Sequence, residues 1–343
     1  MMRLPAFEYR APRTIDEAAT ALAERPTESM LLAGGTDLLP NMKRRQQTPA
    51  VVVSLRSVGG FAEIRHGDGL TIGAGATLSS LVHDPRIRSD YQGLWQAAAQ
   101  IATPHLRNMG TLGGNLCLDT RCTYYDQNYE WRKAIDFCLK KDGSTCWVAT
   151  SSPKCLAVSS TDTAPMLQAL GATVSLVSVR GRREVTLEDL YANDGMHYLT
   201  RQPDEILAGV QLPRAEGWRS AYWKLRRRGS FDFPVASAAV AVRFDGDRLV
   251  DARIVLGAVA SRPMSTPKAV DLLRNSTLDD SVIAEASLVA AELAKPMDNT
   301  DFELVWRKRM VHTLVSGALH EIRGDDVSEA RRRLARQSLL AVS

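Results

Sequence analysis

All the cysteines of this 343-residue chain lie in one short stretch. Intervals of 4, 15, 7 and 8 residues separate, in order, Cys117, Cys122, Cys138, Cys146 and Cys155. An odd count of five suits metal binding better than a disulfide framework. Structural zinc usually shows C-x2-C pairs, which are missing here, whereas four thiolates in an irregular loop can hold an iron–sulfur cluster. The stretch therefore predicts a [4Fe-4S] cluster, with zinc or reduced structural thiols as the alternatives.

Two glycine-rich turns have the residue types that bind phosphate. The first is AGGTDLLP at 33–40, and the second, RNMGTLGGN at 107–115, directly precedes the cysteines. Paired glycines permit positive φ and let N–H groups approach phosphate oxygens, while Thr36, Thr111 and Asn115 add polar groups. Neither turn matches the Walker or the G-x-G-x-x-G pattern. GAGATL at 73–78 lacks the third glycine of the latter, and we interpret it as a structural turn.

No set of residues suggests bond-making catalysis in this chain. The six histidines are dispersed, and the sequence contains no G-x-S-x-G elbow, no H-E-x-x-H and no plant-type [2Fe-2S] ligand pattern. We therefore predict no catalytic residue here.

Hydrophobic periodicity predicts mixed secondary structure. A helix over 15–25 and strands over 30–33 and 51–55 form a small α/β unit; 70–74 is extended, 78–83 and 94–102 are helical, and 171–185 is a hairpin. After Pro213, strands are expected over 221–225, 236–244 and 249–259, followed by helices over 268–274, 281–294, 304–322 and 328–340. Strands followed by helices indicate a separate C-terminal α+β domain.

Composition excludes several classes of protein. With 45% apolar and 24% charged residues the chain can bury a large core, and a net charge of +4 with dispersed basic residues argues against nucleic-acid binding. No stretch is long and apolar enough for a signal peptide or a membrane span. The sequence predicts a cytoplasmic protein.

Taken together, the motifs resemble a known family. AGGTDLLPNMK, IGAGATLSSL, RNMGTLGGN, TDTAPMLQALGA, DEILAGVQLP and YWKLRRRGSFDF follow one another in the order seen in the FAD-binding medium subunit of molybdenum hydroxylases. The resemblance implies an α+β fold. It would comprise a two-subdomain, vanillyl-alcohol-oxidase-like (PCMH-type) FAD-binding domain and a CO-dehydrogenase-flavoprotein-like C-terminal domain. The expected bounds are 1–56 and 57–215 for the subdomains, 216–325 for the C-terminal domain and 326–343 for a helical tail.

The resemblance also implies which residues bind FAD. One side of the pyrophosphate would be held by Ala33, Gly34, Gly35, Thr36 and Asp37. The other side would be held by Thr111, Gly114, Asn115 and Asp162. Leu207 and Lys224 would line the isoalloxazine ring.

The chain departs from the family pattern between Asn115 and Asp162. The family joins the two matching positions by a short strand connection, whereas 46 residues separate them here. The inserted loop, residues 117–160, holds the cysteines, and an inserted [4Fe-4S] loop of this kind resembles the flavin subunit of 4-hydroxybenzoyl-CoA reductase. Cys117 stays close to the FAD turn, so the predicted ligands are Cys122, Cys138, Cys146 and Cys155. Aromatic residues of the loop are expected either to shield the cluster or to form the loop's own small core.

The main functional hypothesis is an electron-transfer subunit. By resemblance, electrons would pass from a ferredoxin-like donor to the [4Fe-4S] cluster and then to FAD. From FAD they would reach the [2Fe-2S] centres of a small partner subunit and the molybdopterin centre of a large one. The complex would be a dimer of heterotrimers that converts 4-hydroxybenzoyl-CoA to benzoyl-CoA. One alternative is the FAD subunit of a conventional molybdenum hydroxylase that passes electrons outward and has a structural zinc loop. The other is a scaffold without cofactor.

Overall fold

The computed structural model describes residues 3–340, with side chains up to residue 334. Residues 341–343 of the predicted tail lie outside the described residues. Among those that are described, no helix is both long and apolar enough to cross a membrane.

The first part of the chain forms a small parallel sheet with the strand order β1-β3-β2. Its elements are β1 (Glu8–Arg10), α1 (Ile15–Glu24), β2 (Ser29–Leu32), α2 (Leu38–Lys43) and β3 (Val51–Ser54). Thr14 begins α1 by accepting the Glu17 N–H at 3.1 Å. The first glycine turn connects the carboxyl end of β2 to α2 and therefore lies at the sheet edge where ligands commonly bind.

The second part contains a five-stranded antiparallel sheet with the order β4-β5-β8-β6-β7. Its elements are β4 (Ile64–Gly67), β5 (Gly69–Gly73), α3 (Leu78–His83), α4 (Pro85–Asp90), α5 (Gln92–Ala99), α6 (Pro104–Arg107), α7 (Leu112–Leu116), α8 (Tyr129–Ala134), α9 (Thr163–Ala169), β6 (Thr173–Ser178), β7 (Gly181–Thr186) and β8 (Ile206–Leu212). The predicted hairpin is β6–β7, and its turn is at 179–180, just before Gly181.

The third part is an antiparallel sheet, β12-β11-β10-β9, covered by helices. It consists of β9 (Trp218–Leu225), β10 (Ala236–Asp245), β11 (Arg248–Gly257), β12 (Met264–Ser265), α10 (Pro267–Leu273), α11 (Asp280–Leu293), α12 (Leu304–Arg323) and α13 (Ser328–Leu340).

The faces of β9 connect two hydrophobic cores. Tyr222 packs into the core of the FAD-binding part, and its neighbours Ala221 and Trp223 pack against the C-terminal helices. Alternate side chains of a strand point to opposite faces, so a strand buried on both faces needs an apolar run. This explains the long apolar run in β10, whose residues 236–242 are all buried.

A buried arginine ties the C-terminal helices to this sheet. Arg307 on α12 is fully buried and donates to the carbonyls of Val235, Met297 and Ala258 at 3.1, 2.8 and 3.0 Å. Burial lowers the pKa of Arg307 to about 10. The guanidinium therefore satisfies three loop carbonyls that water cannot reach.

We expect Arg307→Met to destabilise the protein by about 3 kcal/mol, because three buried carbonyls lose their donors. Urea unfolding followed by circular dichroism measures the change. The exposed Arg309→Met on the same helix is the matched control and should change the free energy of unfolding by less than about 0.5 kcal/mol. Equal effects of the two substitutions would show that the hydrogen bonds of Arg307 to the three carbonyls contribute nothing to the free energy of unfolding.

Candidate cofactor site

A cavity of about 600 Å³ opens between the two glycine turns. Ten of the predicted cofactor residues line it: Ala33, Gly34, Gly35, Thr36, Asp37, Thr111, Gly114, Asn115, Asp162 and Leu207. Ligand pockets for cofactor-sized molecules have volumes of roughly 300–1,000 Å³. Residues from distant parts of the chain therefore converge on a space of suitable size.

The first turn has the geometry that its glycines predict. Gly35 has a φ of 72°, and a Cβ on Gly34 would lie 1.8 Å from the carbonyl oxygen of Met109. Among the described residues, the N–H groups of Gly34, Gly35 and Thr36 donate to no protein acceptor. Unpaired donors at a glycine turn beside a cavity suit an anionic group such as a pyrophosphate.

The second glycine turn forms a short helix, α7. Thr111 is the N-cap of α7 and accepts the Gly114 N–H at 3.1 Å. The N–H of Gly113 donates to Ala74 O at 2.8 Å, which places GAGATL behind the turn as a support. The hydroxyl of Thr111 is thus occupied in part by capping the helix.

Asn115 is held in a fixed orientation. Its side-chain oxygen accepts from the Thr161 and Thr163 hydroxyls at 2.7 and 2.6 Å and from the Thr163 N–H at 3.2 Å. The oxygen is therefore saturated, which leaves the amide NH₂ as the group that Asn115 can offer to a ligand.

Lys224 is the one predicted residue that does not line the cavity. Its ammonium is completely buried and contacts Asp162 Oδ2 at 2.9 Å and Gln100 O at 3.2 Å. Tyr222 donates to the other oxygen of Asp162 at 2.7 Å. Burial raises the pKa of Asp162, and the attraction of Lys224 opposes that shift. Lys224 acts on the cavity through Asp162 and not by direct contact.

The sequence interpretation missed part of the cavity wall. Arg201 and Tyr198 line one side, and Arg228, Phe231 and Phe233 line another. The motif RRRGSFDF contains the last three, but loop residues of this kind have no periodicity that predicts where they fold. Arg201 and Arg228 bring two cations to the lining of the cavity, and Arg228 pairs there with Asp232.

The inserted loop gathers four of the cysteines. Cys122, Cys138 and Cys155 pack in one small buried cluster with Tyr125 and Ala157, and Cys146 lies near Cys155. All are free thiols, with 4–6% of their surface exposed. Cys117 lies apart, against the main core and beside the cavity. The structure thus separates the four predicted ligands from the fifth cysteine.

Burial favours the neutral thiols of Cys122 and Cys155. The Ala157 N–H donates to Cys155 Sγ at 3.4 Å, and the Tyr125 N–H donates to the carbonyl oxygen of Cys122 at 3.0 Å. Burial raises the pKa of Cys122 to about 12 and that of Cys155 to about 11, so both sulfurs carry protons until a metal group displaces them.

The spacing of the thiols bears on which metal group fits. Within the described residues, no group of three His, Cys, Asp or Glu side chains is close enough to hold a single metal ion. A tetrahedral zinc site needs sulfur atoms about 2.3 Å from one centre. Three of the four thiols, those of Cys122, Cys138 and Cys155, share one buried cluster, and thiolates are ligands of zinc and of iron–sulfur clusters alike.

The loop is closed at its base and tied to the cavity. Arg121 and Val158 exchange two backbone hydrogen bonds of 2.8 and 2.7 Å. The Arg121 side chain pairs with Asp37 of the first glycine turn and lies 4.6 Å from the ring centre of Phe233. Sequence analysis did not identify this link because a contact between residues 37 and 121 has no local signal.

The aromatic residues of the loop divide into two groups. Tyr125 is buried against the cysteines and Tyr124 packs beside them, whereas Tyr129, Trp131 and Trp147 are exposed. Shielding of the thiols by the aromatics therefore involves the first group only.

Two family models match the chain in succession. The FAD binding domain in molybdopterin dehydrogenase matches residues 5–215, and the CO dehydrogenase flavoprotein C-terminal domain matches residues 220–322. These matches agree with the expected α+β fold of an FAD-binding domain followed by a CO-dehydrogenase-flavoprotein-like domain, which is confirmed.

Several known proteins are similar over nearly their full length. The aldehyde oxidoreductase FAD-binding subunit of Escherichia coli is 31% identical over 92% of this chain and 99% of its own. The nicotine 6-hydroxylase medium subunit of Paenarthrobacter nicotinovorans is 29% identical over 93% and 98%. A chain of the reconstituted carbon monoxide dehydrogenase structure from Oligotropha carboxidovorans superposes with a TM-score of 0.76. It is 27% identical, over 94% of this chain and 99% of its own.

Proposed function

Because the chain belongs to the family of FAD-binding subunits of molybdenum hydroxylases, we propose that it relays electrons through an FAD bound between its two glycine turns. The observation that carries the proposal is the convergence of ten predicted residues on one cavity. FAD supplies the ability to exchange either one or two electrons with its neighbours. The protein contributes binding, orientation and charge, and its partner subunits carry out the substrate chemistry.

Each part of the cavity has a role in this proposal. The free N–H groups of Gly34, Gly35 and Thr36 hold the pyrophosphate on one side, and Gly114 and the Asn115 amide approach it from the other. Asp162 presents a carboxylate suited to a ribose hydroxyl, and Lys224 holds that carboxylate ionised. Leu207 offers an apolar surface to the isoalloxazine ring.

We further propose that Cys122, Cys138, Cys146 and Cys155 hold a [4Fe-4S] cluster. Support comes from the burial of all four thiols within the one inserted loop and from the Ala157 N–H that donates to Cys155 Sγ. Structural zinc is the competing occupant.

The direction of electron flow is proposed from the relatives. The similar proteins are named as an aldehyde oxidoreductase, a nicotine hydroxylase and a carbon monoxide dehydrogenase. Such names favour a hydroxylase-type complex in which electrons leave the molybdopterin subunit through [2Fe-2S] centres and FAD. The term medium subunit in these names supports assembly with a larger and a smaller chain, and the dimer of heterotrimers is part of the proposal.

The second candidate reverses the flow. A ferredoxin-like donor would reduce the loop cluster, and the complex would dehydroxylate 4-hydroxybenzoyl-CoA. The four-cysteine loop favours it, and the relatives named above lend it no support. The substrate remains a proposal that depends on the loop alone.

Metal and flavin analysis of anaerobically purified protein tests these assignments. We expect about four irons and four sulfides per chain, because a cubane contains that many, together with one FAD. Cys146→Ser should lose most of the iron, whereas Cys117→Ser, the matched control outside the cluster, should keep it. EPR of the dithionite-reduced protein should show a cluster signal that only Cys146→Ser abolishes.

Other outcomes separate the alternatives. One zinc without sulfide would contradict the cluster and leave the FAD proposal standing. A protein without flavin absorbance that takes up no added FAD would contradict the relay and favour a scaffold. Ferredoxin-dependent reduction of the complex that weakens with salt would favour the second candidate.

A further inference from the structure

A lysine is buried inside the cysteine loop. Lys140 lies between Cys138 and Cys146 in sequence, and 6% of its side chain is exposed. Its ammonium donates to Asp119 Oδ1 at 2.8 Å, to Thr120 Oγ1 at 2.7 Å and to Gly195 O at 2.7 Å. Its three donors are thus all satisfied, and a charge in this position is costly unless it is paired.

Lys140 and Asp119 lie between the cysteines and the cavity. Asp119 lines the cavity, and so does Tyr198, whose ring centre is 5.5 Å from the Lys140 ammonium. On the other side, the ammonium is 4.9 Å from the ring centre of Tyr125, which packs against the cysteines. Tyr125 also donates to Asp119 Oδ2 at 3.0 Å. One ion pair therefore contacts both proposed redox sites.

The charge of Lys140 reaches the thiols. The ammonium lies 4.9 Å from the ring centre of Tyr125, and Tyr125 packs against Cys122, Cys138 and Cys155. A cation that stabilises a thiolate also stabilises the negative charge that a cluster gains when it accepts an electron.

We propose that Lys140 and Asp119 are positioning residues that set the redox equilibrium between the loop cluster and FAD. The cation favours the electron on the cluster, and the carboxylate limits that bias and holds the ammonium in place. This inference rests on the proposed cluster and FAD. It assigns a function to two side chains that the sequence motifs did not include.

A purely structural role predicts a different result. If Lys140 only ties the loop to Thr120 and Gly195, then removal of either charge loosens the loop and moves the cluster potential in the same direction. If the charges act by their fields, then removal of the cation and removal of the carboxylate move the potential in opposite directions. The sign of the shift is thus the informative quantity.

The test is an EPR-monitored redox titration of the cluster in the complete complex, with iron and FAD content measured first. Lys140→Met should shift the equilibrium about tenfold toward the oxidised cluster, which equals about 59 mV for one electron. Asp119→Asn should shift it in the opposite direction. The Lys140→Met/Asp119→Asn double variant should return to within about threefold of the wild type, and Lys140→Arg should stay close to it.

Shifts of the same sign in both single variants, or no shift in either, would overturn the proposal. If Lys140→Met fails to take up iron, the Asp119→Asn variant alone still tests the proposal. A shift of its equilibrium toward the reduced cluster supports an electrostatic effect, and the absence of that shift contradicts one. A wild-type chain without iron and sulfide would contradict the cluster itself, which is a distinct failure.

Discussion

Gly34→Val is expected to yield folded protein that has lost at least nine-tenths of its FAD. The reason is steric, because a Cβ at this position would lie 1.8 Å from the carbonyl oxygen of Met109. Backbone contacts this close do not occur, so the first glycine turn has to move away from the second. The free N–H groups of Gly34, Gly35 and Thr36 would then no longer face the cavity.

The measurement is the flavin absorbance of desalted protein, with thermal unfolding monitored in parallel. Gly67→Val serves as the matched control, since no atom lies within 4 Å of a Cβ there, and it should retain its FAD. A Gly34→Val protein with normal flavin content would contradict the placement of the pyrophosphate between the two turns.

The success of the sequence-based prediction at the glycine turns has a physical cause. Gly34 and Gly35 are adjacent in sequence, and the conformation that they permit is local, so the motif alone predicts the turn. The same holds for β10, because its residues 236–242 are buried on both faces and all but Ser237 are apolar. Structural features that depend on neighbouring residues can therefore be predicted from the local sequence pattern.

The features that were not predicted depend on contacts between distant residues. The pair of Arg121 and Asp37 joins two segments 84 positions apart, and the carbonyl of Gly195 completes the coordination of Lys140. The helix that Thr111 caps at the second glycine turn was not predicted either, because a five-residue helix has no periodicity to detect. The roles assigned to the individual cofactor residues and cysteines remain predictions.

The inserted loop shows how an addition can be joined to a shared fold. The family models cover residues on both sides of the cysteines, and the loop is closed where Arg121 meets Val158. Two of its ion pairs, Arg121 with Asp37 and Lys140 with Asp119, each include a carboxylate that lines the cavity. The loop is therefore in contact with the wall of the cavity and is not only packed on itself.

Lys224→Met should destabilise the protein by about 3–5 kcal/mol, because it leaves the buried carboxylate of Asp162 without its cation. The Tyr222 hydroxyl still donates to Asp162, but one neutral donor does not replace an ammonium at 2.9 Å. We also expect weaker FAD binding, since an unpaired carboxylate beside the cavity repels a pyrophosphate. Urea unfolding and FAD titration measure the two effects.

The double variant Asp162→Asn/Lys224→Met distinguishes loss of a charge pair from loss of packing. Removing both charges abolishes the desolvation cost of the unpaired carboxylate, so the double variant should recover more than half of the lost stability. FAD binding should recover less, because the carboxylate suited to the ribose hydroxyl is then absent. A double variant less stable than Lys224→Met would show that the side chains support the core by packing alone, since charge compensation predicts the opposite order.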